Sequence, residues 1–179
     1  GRPLRDMDRR LRVLARQAYC FAATGRADML ALGERQFRFA MDHGMDPRSG
    51  HLVAVFDSRL RMLSAPHDLY DLAFMLLAAS ELLRWGRLAA DDLPRLEAGL
   101  ARLKAPRGWF ENAAHALPRR QNPHMHLFEA ATELYRVTRA PRHLAIADEC
   151  LGLFRDVVLQ PGGEVLEYFG AGLLPVPDV

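Results

Sequence analysis

Cysteine is scarce in this sequence, which contains only Cys20 and Cys150. A disulfide framework of the kind that holds small secreted domains together needs more cysteines at closer spacing. Both residues lie in segments whose apolar pattern is helical, far apart along the chain. We interpret them as two buried thiols of a protein that works in a reducing compartment.

Features that would indicate a membrane or nucleic-acid partner are also lacking. No apolar run reaches the roughly 18–20 residues needed to span a bilayer, and the N-terminal stretch GRPLRDMDRRLR is charged, unlike a signal peptide. The net charge is only +2, and the basic runs have acidic or turn residues beside them instead of forming a stripe with interleaved aromatics. We therefore expect no nucleic acid and no membrane as partner, and a cytoplasmic location.

The chain does contain a helical spacing of apolar residues along its whole length, and its 179 residues, 50% of them hydrophobic, suffice for one domain with a core. Gly25, Gly44 and Gly86 follow the first three helical segments, and Asp91 and Asn122 stand where the N-caps of the fourth and fifth belong. The predicted helices are 4–24, 27–42, 68–86, 91–104, 123–138 and 141–158.

The connections between these helices alternate in length. Short turns join the first helix to the second, the third to the fourth and the fifth to the sixth, whereas the long segments 43–67 and 105–122 lie between the pairs. This pattern predicts three helical hairpins in an all-α domain, with every long connection at one end, where function is expected. The segment GHLVAVFDSRL (50–60) alternates enough to predict a short β-hairpin on that end.

The two helices of a hairpin differ in their apolar pattern. LYDLAFMLLAAS (69–80) is apolar nearly all round, which predicts burial on both sides. DLPRLEAGLARLK (92–104) has one apolar stripe, which predicts one wet face. Inner and outer helices therefore alternate, and stacked hairpins of this kind form either a superhelix or a closed α/α toroid.

The stretch QNPHMHLFEA (121–130) holds two histidines and a glutamate at the start of the fifth helix. His124 and His126 are two residues apart, so on a helix they point about 200° away from each other and chelate one metal poorly. With only two cysteines and no second cluster at ligand spacing, we predict no metal site. His126 and Glu129, three residues apart, share a face. They are either an acid/base pair or a hydrogen-bonded polar pair without a chemical role, and spacing leaves both open.

The run RRQNPHMHLFEAATELYRVTRAPRHLAIADECLGLF (119–154) resembles the N-acylglucosamine 2-epimerase superfamily, which includes mannose isomerases, sulfoquinovose isomerases and cellobiose 2-epimerases. Three further stretches agree in order and spacing: RVLARQAY (12–19), DPRSG (46–50) and HDLYDLAFMLLAAS (67–80). The resemblance implies an (α/α)6 toroid whose inner helices line a sugar-binding funnel. Residues 1–179 would then form a partial domain, the N-terminal half with three of six hairpins.

The chemistry implied by this resemblance needs no metal and no cofactor. An aldose binds, its ring opens, and a histidine removes the proton on C2 to give an enediolate. Reprotonation at C1 gives a ketose, and reprotonation on the other face of C2 gives the epimer.

The resemblance also assigns individual residues. His126 and Glu129 match the family histidine and glutamate that help ring opening or proton shuttling, and Asn122 matches the asparagine that binds the sugar beside them. Arg16 matches an arginine that holds sugar oxygens near C1 and C2, where a guanidinium can steady enediolate charge. Tyr70 matches an aromatic that flanks the sugar. The alternatives are a structural salt bridge for Arg16 and simple packing for Tyr70.

Two departures from the family pattern bear on the substrate. Many members carry a histidine where this chain has Leu72, so we expect a polar contact in the funnel to be missing. In the family, the loop before the second inner helix often has the sequence GGW, whereas this chain has GHL (50–52). The family's principal acid/base pair, an H-x-x-E histidine and a later histidine, belongs to the last three hairpins. His126 is therefore not the main base, and the natural chain is expected to continue beyond Val179.

These observations predict an enzyme, an aldose–ketose isomerase acting on mannose or a similar unphosphorylated hexose, with a small-molecule sugar as its partner. A 2-epimerase of N-acylated or disaccharide sugars is the first alternative, and a non-catalytic sugar-binding or structural domain is the second. A half ring also leaves helices at two open edges, so an isolated chain should be marginally stable or form a homodimer. We expect some of Leu11, Leu14, Ala18 and Phe21 on the first helix, and some of Leu144, Leu151 and Phe154 on the last, to be exposed there.

Overall fold

The computed structural model describes residues 7–45, 51–52, 54–64 and 69–176. Three helical hairpins form the body of the described structure, and short strands lie before, between and after them. The helices are α1 (Leu11–Ala23), α2 (Ala27–His43), α3 (Leu69–Arg84), α4 (Asp92–Arg102), α5 (Gln121–Thr138) and α6 (Pro141–Leu153), which a π-helical turn (Phe154–Val158) extends. The strands are β1 (Arg9–Arg10), β2 (Val55–Phe56), β3 (Met62–Ser64), β4 (Arg119–Arg120) and β5 (Tyr168–Phe169). Among the described helices, none combines the length and apolar character that a bilayer crossing requires.

The predicted alternation of inner and outer helices is confirmed. Helix α3 packs between α1 and α5, and each of these three inner helices also packs against the outer helix that follows it. Nearly every side chain of α3 from Leu69 to Leu82 is buried. Helix α4 buries only a stripe of Leu93, Leu96, Gly99 and Leu100, together with Asp92 at its start. The core therefore lies between the two layers, and α3 is covered from both sides.

Two helix starts differ from the prediction by two or more residues. The first helix begins at Leu11, because Arg9 and Arg10 are extended and pair with Phe56 and Val55 of β2. The fifth begins at Gln121, with Arg120 as its N-cap in extended backbone. Asn122 therefore lies in the first turn of α5 and not at the N-cap.

The predicted β-hairpin is present but begins later in the chain. Strands β2 and β3 pair antiparallel, and β1 adds to β2 to make a three-stranded sheet. The turn between β2 and β3 is held by Asp57, whose Oδ1 accepts the backbone N–H groups of Arg59 and Arg61 at 2.8 and 2.9 Å. Leu52 bridges to Met45 nearby. The DPRSG stretch (46–50), including the glycine of GHL, lies outside the described residues.

The two thiols differ in environment, so the prediction that both are buried is wrong for one of them. Cys20 is exposed, whereas Cys150 is 4% exposed. Cys20 lies two residues from Ala18 and from Ala22, which are fully buried, and two residues on a helix turn a side chain to the opposite face. Burial raises the pKa of the Cys150 thiol to about 12.

The edge formed by α1 does not expose the predicted apolar residues. Leu11, Leu14 and Ala18 are buried and Phe21 is partly buried, because this face of α1 packs against α2 and α3. Val13, on the other side of the helix, is 45% exposed instead.

The edge formed by α5 and α6 does expose apolar side chains. Leu144 and Leu151 are exposed as predicted, and Phe154 is partly buried. Beside them, Met125 and Phe128 of α5 are 47% and 38% exposed. Side chains of both helices line a cavity of about 300 Å³ that we call the edge groove, and its apolar walls include Met125, Phe128, Leu151, Phe154 and Val158.

Candidate active site

The candidate site lies where the N-terminal ends of the three inner helices meet, at the end of the molecule that carries the long connections. The backbone N–H and the guanidinium of Arg12, in the first turn of α1, bond to Asp71 in the first turn of α3. The backbone N–H of Leu69 donates to the carbonyl of Glu111, in the connection that precedes α5. These contacts bring together residues from three distant parts of the sequence.

His126 and Glu129 form a pair on α5, as their spacing predicts. The His126 Nδ1 lies 3.1 Å from the Glu129 Oε2. Because an ionised carboxylate only accepts hydrogen bonds, Nδ1 carries the proton in this contact and Nε2 is left as an acceptor. The side chain of His126 is 15% exposed and that of Glu129 is 50% exposed. The pair therefore faces an opening that solvent or a ligand can reach.

The imidazole of His126 packs against two aromatic rings of α3. Its centroid lies 4.4 Å from that of Phe74 and 5.2 Å from that of Tyr70. Tyr70 and Phe74 are one helical turn apart and meet edge to face at 5.2 Å. Tyr70 both packs on the core and borders His126.

Arg16 of α1 reaches the same group of rings from the other side of α3. Its guanidinium carbon lies 4.4 Å from the Phe74 centroid. The residue is exposed, and within the described ranges it makes no ion pair. A structural salt bridge, the alternative considered for Arg16, is thus not found there. The predicted residues Arg16, Tyr70, His126 and Glu129 do converge, and Phe74 is the side chain that joins them.

Asn122 lies one turn before His126 on the same face of α5. Its Oδ1 is buried and has no hydrogen-bond partner among the described residues. A buried amide oxygen without a donor is costly.

Sequence reasoning missed Phe74 and two arginines beside Tyr70. The guanidinium carbons of Arg12 and Arg120 lie 4.6 and 6.0 Å from the Tyr70 centroid. One signal was available: Arg12 and Arg16 are four residues apart on α1, as Tyr70 and Phe74 are on α3, so each pair shares a helix face. Matching the two pairs requires knowing that α1 and α3 are neighbours.

His124 has a structural role and lies on a different face of α5 from His126. Its Nε2 accepts the backbone N–H of Trp109 at 3.1 Å, so its Nδ1–H donates to the carbonyl of Arg120 at 2.7 Å. Burial lowers the pKa of His124 to about 4. Both ring nitrogens are engaged, so His124 and His126 do not form a chelating pair. Among the described residues, no group of three acidic, histidine or cysteine side chains is arranged to hold a metal ion.

Leu72 does not face the site, so the polar contact expected to be missing from the funnel is not one that this position would make. Its side chain is fully buried, and its methyl groups lie 3.7 Å from where a Cβ on Gly99 of α4 would stand. Leu72 is two residues from Tyr70, about 200° around the helix, so it faces the outer layer.

The arrangement brings together several groups that can take part in proton transfer on a polyhydroxylated ligand. His126 and Glu129 supply a proton acceptor and its carboxylate partner. Arg16 supplies positive charge for an oxyanion. Tyr70 and Phe74 supply aromatic surface beside them. Such a site suits a small uncharged ligand whose oxygen atoms exchange protons.

Comparison with known proteins identifies the family and the fold of the chain. The family model of N-acylglucosamine 2-epimerase matches residues 1–179. A protein of Rhizobium meliloti (strain 1021), described as a mannose-6-phosphate isomerase, is 33% identical over 200 residues, covering 99% of this chain and 49% of its own length.

Solved structures show the same architecture at lower identity. A sugar epimerase from a ruminal bacterium superimposes with a TM-score of 0.87 at 19% identity, over 99% of this chain and 51% of that one. A D-mannose isomerase gives a TM-score of 0.78 at 21% identity, over 93% of this chain and 47% of that one. The three hairpins therefore have the α/α toroid arrangement and not that of an open superhelix, and the chain spans about half the length of the relatives it matches. The chain belongs to the N-acylglucosamine 2-epimerase family.

Proposed function

We propose that this chain is the N-terminal half of a sugar isomerase or epimerase that moves a proton between C1 and C2 of an aldose through an enediolate. The observation that carries the proposal is the contact of His126 with Glu129 on one side and with Tyr70 and Phe74 on the other. Membership of the family supports the reaction class. We assign catalytic roles to His126 and Glu129, and sugar binding to Arg16, Tyr70 and Asn122.

His126 acts in ring opening and in sugar positioning. With Nδ1–H held by Glu129, its Nε2 accepts the proton of a sugar hydroxyl and returns it to another oxygen. Arg16 neutralises charge that develops on O1 and O2 in the enediolate. The principal acid/base histidines, which take and return the carbon-bound proton, are proposed to lie in the half of the protein that this chain does not span.

An unphosphorylated hexose such as mannose is the proposed substrate. Arg12 and Arg120 are each paired with a buried carboxylate, Asp71 and Glu111 respectively. Among the arginines described at the site, Arg16 alone lacks a carboxylate partner. A single guanidinium without a carboxylate partner, with Glu129 nearby, can stabilise the charge of a developing enediolate. It is less suited to binding the permanent double charge of a phosphate group.

A 2-epimerase is the second candidate, and the description of the matching family favours it. The two reactions share binding, ring opening and the first proton transfer, and they differ only in where the enediolate is reprotonated. The residues that decide this step are proposed to lie outside the chain. A non-catalytic sugar-binding domain is the remaining alternative.

Incubation with mannose in D₂O tests these proposals. A longer protein that includes this chain should incorporate deuterium at C1 of fructose if it is an isomerase, or at C2 of glucose if it is an epimerase. The 179-residue chain should bind mannose without forming either product. Absence of exchange from the longer protein, together with absence of mannose binding to the chain, would contradict the proposed function.

We further propose a cytoplasmic location and, for the isolated chain, a homodimer. Neither cysteine is in a disulfide, which suits a reducing compartment. The apolar side chains of the edge groove support self-association, which sedimentation tests.

A further inference from the structure

Two buried carboxylates bind the two arginines that lie beside Tyr70, and the proposed reaction gives these carboxylates no role. Asp71 of α3 is fully buried, and Glu111 in the connection before α5 is 1% exposed. Each accepts hydrogen bonds from both the backbone and the guanidinium of one arginine, Arg12 and Arg120 respectively. Buried carboxylates are costly unless they are paired in this way.

Asp71 supplies a helix cap from a neighbouring helix. Its Oδ1 accepts the backbone N–H of Arg12 at 3.0 Å and the Nε–H at 2.9 Å, and its Oδ2 accepts Nη2–H at 3.3 Å. The N-cap residue of α1, Arg10, makes no side-chain cap bond of its own. Asp71 therefore takes the place of an N-cap acceptor and ties the first turn of α1 to the first turn of α3.

Glu111 makes the corresponding hydrogen bonds to Arg120, the second arginine beside Tyr70. Its Oε1 accepts the backbone N–H of Arg120, the N-cap residue of α5, at 3.2 Å, and its Oε2 accepts the Arg120 Nε–H at 2.9 Å. The carbonyl of Glu111 accepts the first N–H of α3, that of Leu69. One residue thus links the starts of α3 and α5.

Both anchored guanidinium groups lie against the ring of Tyr70, at 4.6 Å for Arg12 and 6.0 Å for Arg120. A cation close to an aromatic face is attracted to it, and one that is already held in place pays less entropy for the contact. Tyr70 in turn borders His126. The two carboxylates therefore influence the position of the His126 imidazole through the ring of Tyr70.

We propose that Asp71 and Glu111 are positioning residues. They hold the guanidinium groups of Arg12 and Arg120 against the ring of Tyr70. This ring in turn sets the orientation of the His126 imidazole. The proposal rests on the proposed function for the identity of the ligand. Its geometric part is independent of any sugar, because ring positions around His126 can be observed in the free protein. The competing explanation is that each carboxylate only stabilises the fold.

Asp71→Asn tests this proposal, because asparagine keeps the shape and one acceptor oxygen but removes the charge. Asp92→Asn is a matched control: Asp92 is 2% exposed and binds Arg38 at 2.8 and 3.2 Å, in the outer layer. The readouts are the NMR signal of the His126 ring, mannose affinity, and stability to urea. Arg12→Lys is a second variant, which keeps the charge opposite Asp71 and removes the planar guanidinium from Tyr70.

We expect Asp71→Asn and Arg12→Lys to shift the His126 signal and to weaken mannose binding about tenfold, whereas Asp92→Asn does neither. If Asp71→Asn does not fold, Arg12→Lys alone decides. An unmoved His126 signal in the folded variants, with stability lowered as much as in Asp92→Asn, would overturn the proposal. If the unmodified chain binds no mannose and the longer protein exchanges no deuterium, the proposed function fails, and the His126 signal still decides the positioning role.

Discussion

The rings of His126 and Phe74 lie with their centroids 4.4 Å apart, inclined at 43°, and bring the fifth helix of the chain against the third. The guanidinium of Arg16, from the first helix, lies at the same distance from the Phe74 ring. Phe74 is itself 4% exposed and carries no reactive group. It nevertheless decides how far apart the candidate catalytic base and the candidate oxyanion-binding group stand.

Replacing Phe74 with leucine should disturb the site more than the fold. Phe37 of α2 is a matched control, since it is 1% exposed and belongs to the outer layer. We expect each Phe→Leu change to lower the free energy of unfolding by about 1–2 kcal/mol, while only Phe74→Leu weakens mannose binding. Urea unfolding and sugar titration measure the two effects, and equal affinities in both variants would show that Phe74 is only a packing residue.

His126→Ala should lower turnover in a longer protein that includes this chain. A positioned acid/base group usually contributes about two to four orders of magnitude to the rate, and kcat for mannose should fall by that much. The fold should be spared, because His126 lies at the edge of the core beside the half-exposed Glu129. Met125→Ala, the adjacent exposed residue, is the control. Turnover like that of the unmodified protein in His126→Ala would show that the family resemblance misassigned this histidine.

Acid should destabilise the protein through His124. Burial holds its folded-state pKa at about 4, below the roughly 6.5 of a histidine in an unfolded chain. Between these values the unfolded state binds the additional proton, so stability falls as the pH decreases from about 6.5 to 4, by up to about 3 kcal/mol. Urea unfolding at a series of pH values measures this loss.

A His124→Gln variant should flatten that part of the stability profile. The same substitution at the exposed His43 provides the control and should leave the slope in place. A profile for His124→Gln as steep as that of the unmodified protein would assign the acid sensitivity to other groups.

The two cysteines should react at very different rates with a thiol reagent. Cys20 is exposed, whereas Cys150 is buried and its pKa is raised to about 12. The thiolate is the reactive form, so Cys150 should react at least about three orders of magnitude more slowly in the folded protein. Mass spectrometry should find one label under native conditions and two in denaturant. Cys20→Ser should abolish the native label, and a persistent label in that variant would contradict the burial of Cys150.

The isolated chain should self-associate through the edge groove and should not isomerise sugars. A large side chain left in water forgoes about 1.5–3 kcal/mol of burial, and several line this groove. Leu151→Lys should shift the chain toward monomer in sedimentation experiments. Leu174→Lys is the control, since Leu174 is 74% exposed and is not part of the groove. A stable monomer that converts mannose would contradict both the association and the proposed division of the active site.

Local patterns were sufficient to predict the helices and their layers. An apolar period near 3.6 residues is a property of the chain itself, so three hairpins and an inner α3 followed from the sequence. The pairing of His126 with Glu129 was also predictable, because residues three apart on one helix share a face. Helix ends were less predictable, since α1 begins where β1 stops pairing with a strand from a distant part of the chain.

Contacts between helices were decided by the tertiary structure alone. Tyr70 and Leu72 are both plausible inner residues by sequence, and only the packing of α3 turns the first toward His126 and the second toward Gly99. Likewise, nothing in the sequence indicates that Asp71 caps α1, because the acceptor and the helix it caps are far apart along the chain. Near neighbours along the chain are enough to predict which segments are helical and which of them are inner or outer helices. The partners that meet between these helices depend on how the hairpins stack, and the tertiary structure alone specifies that stacking.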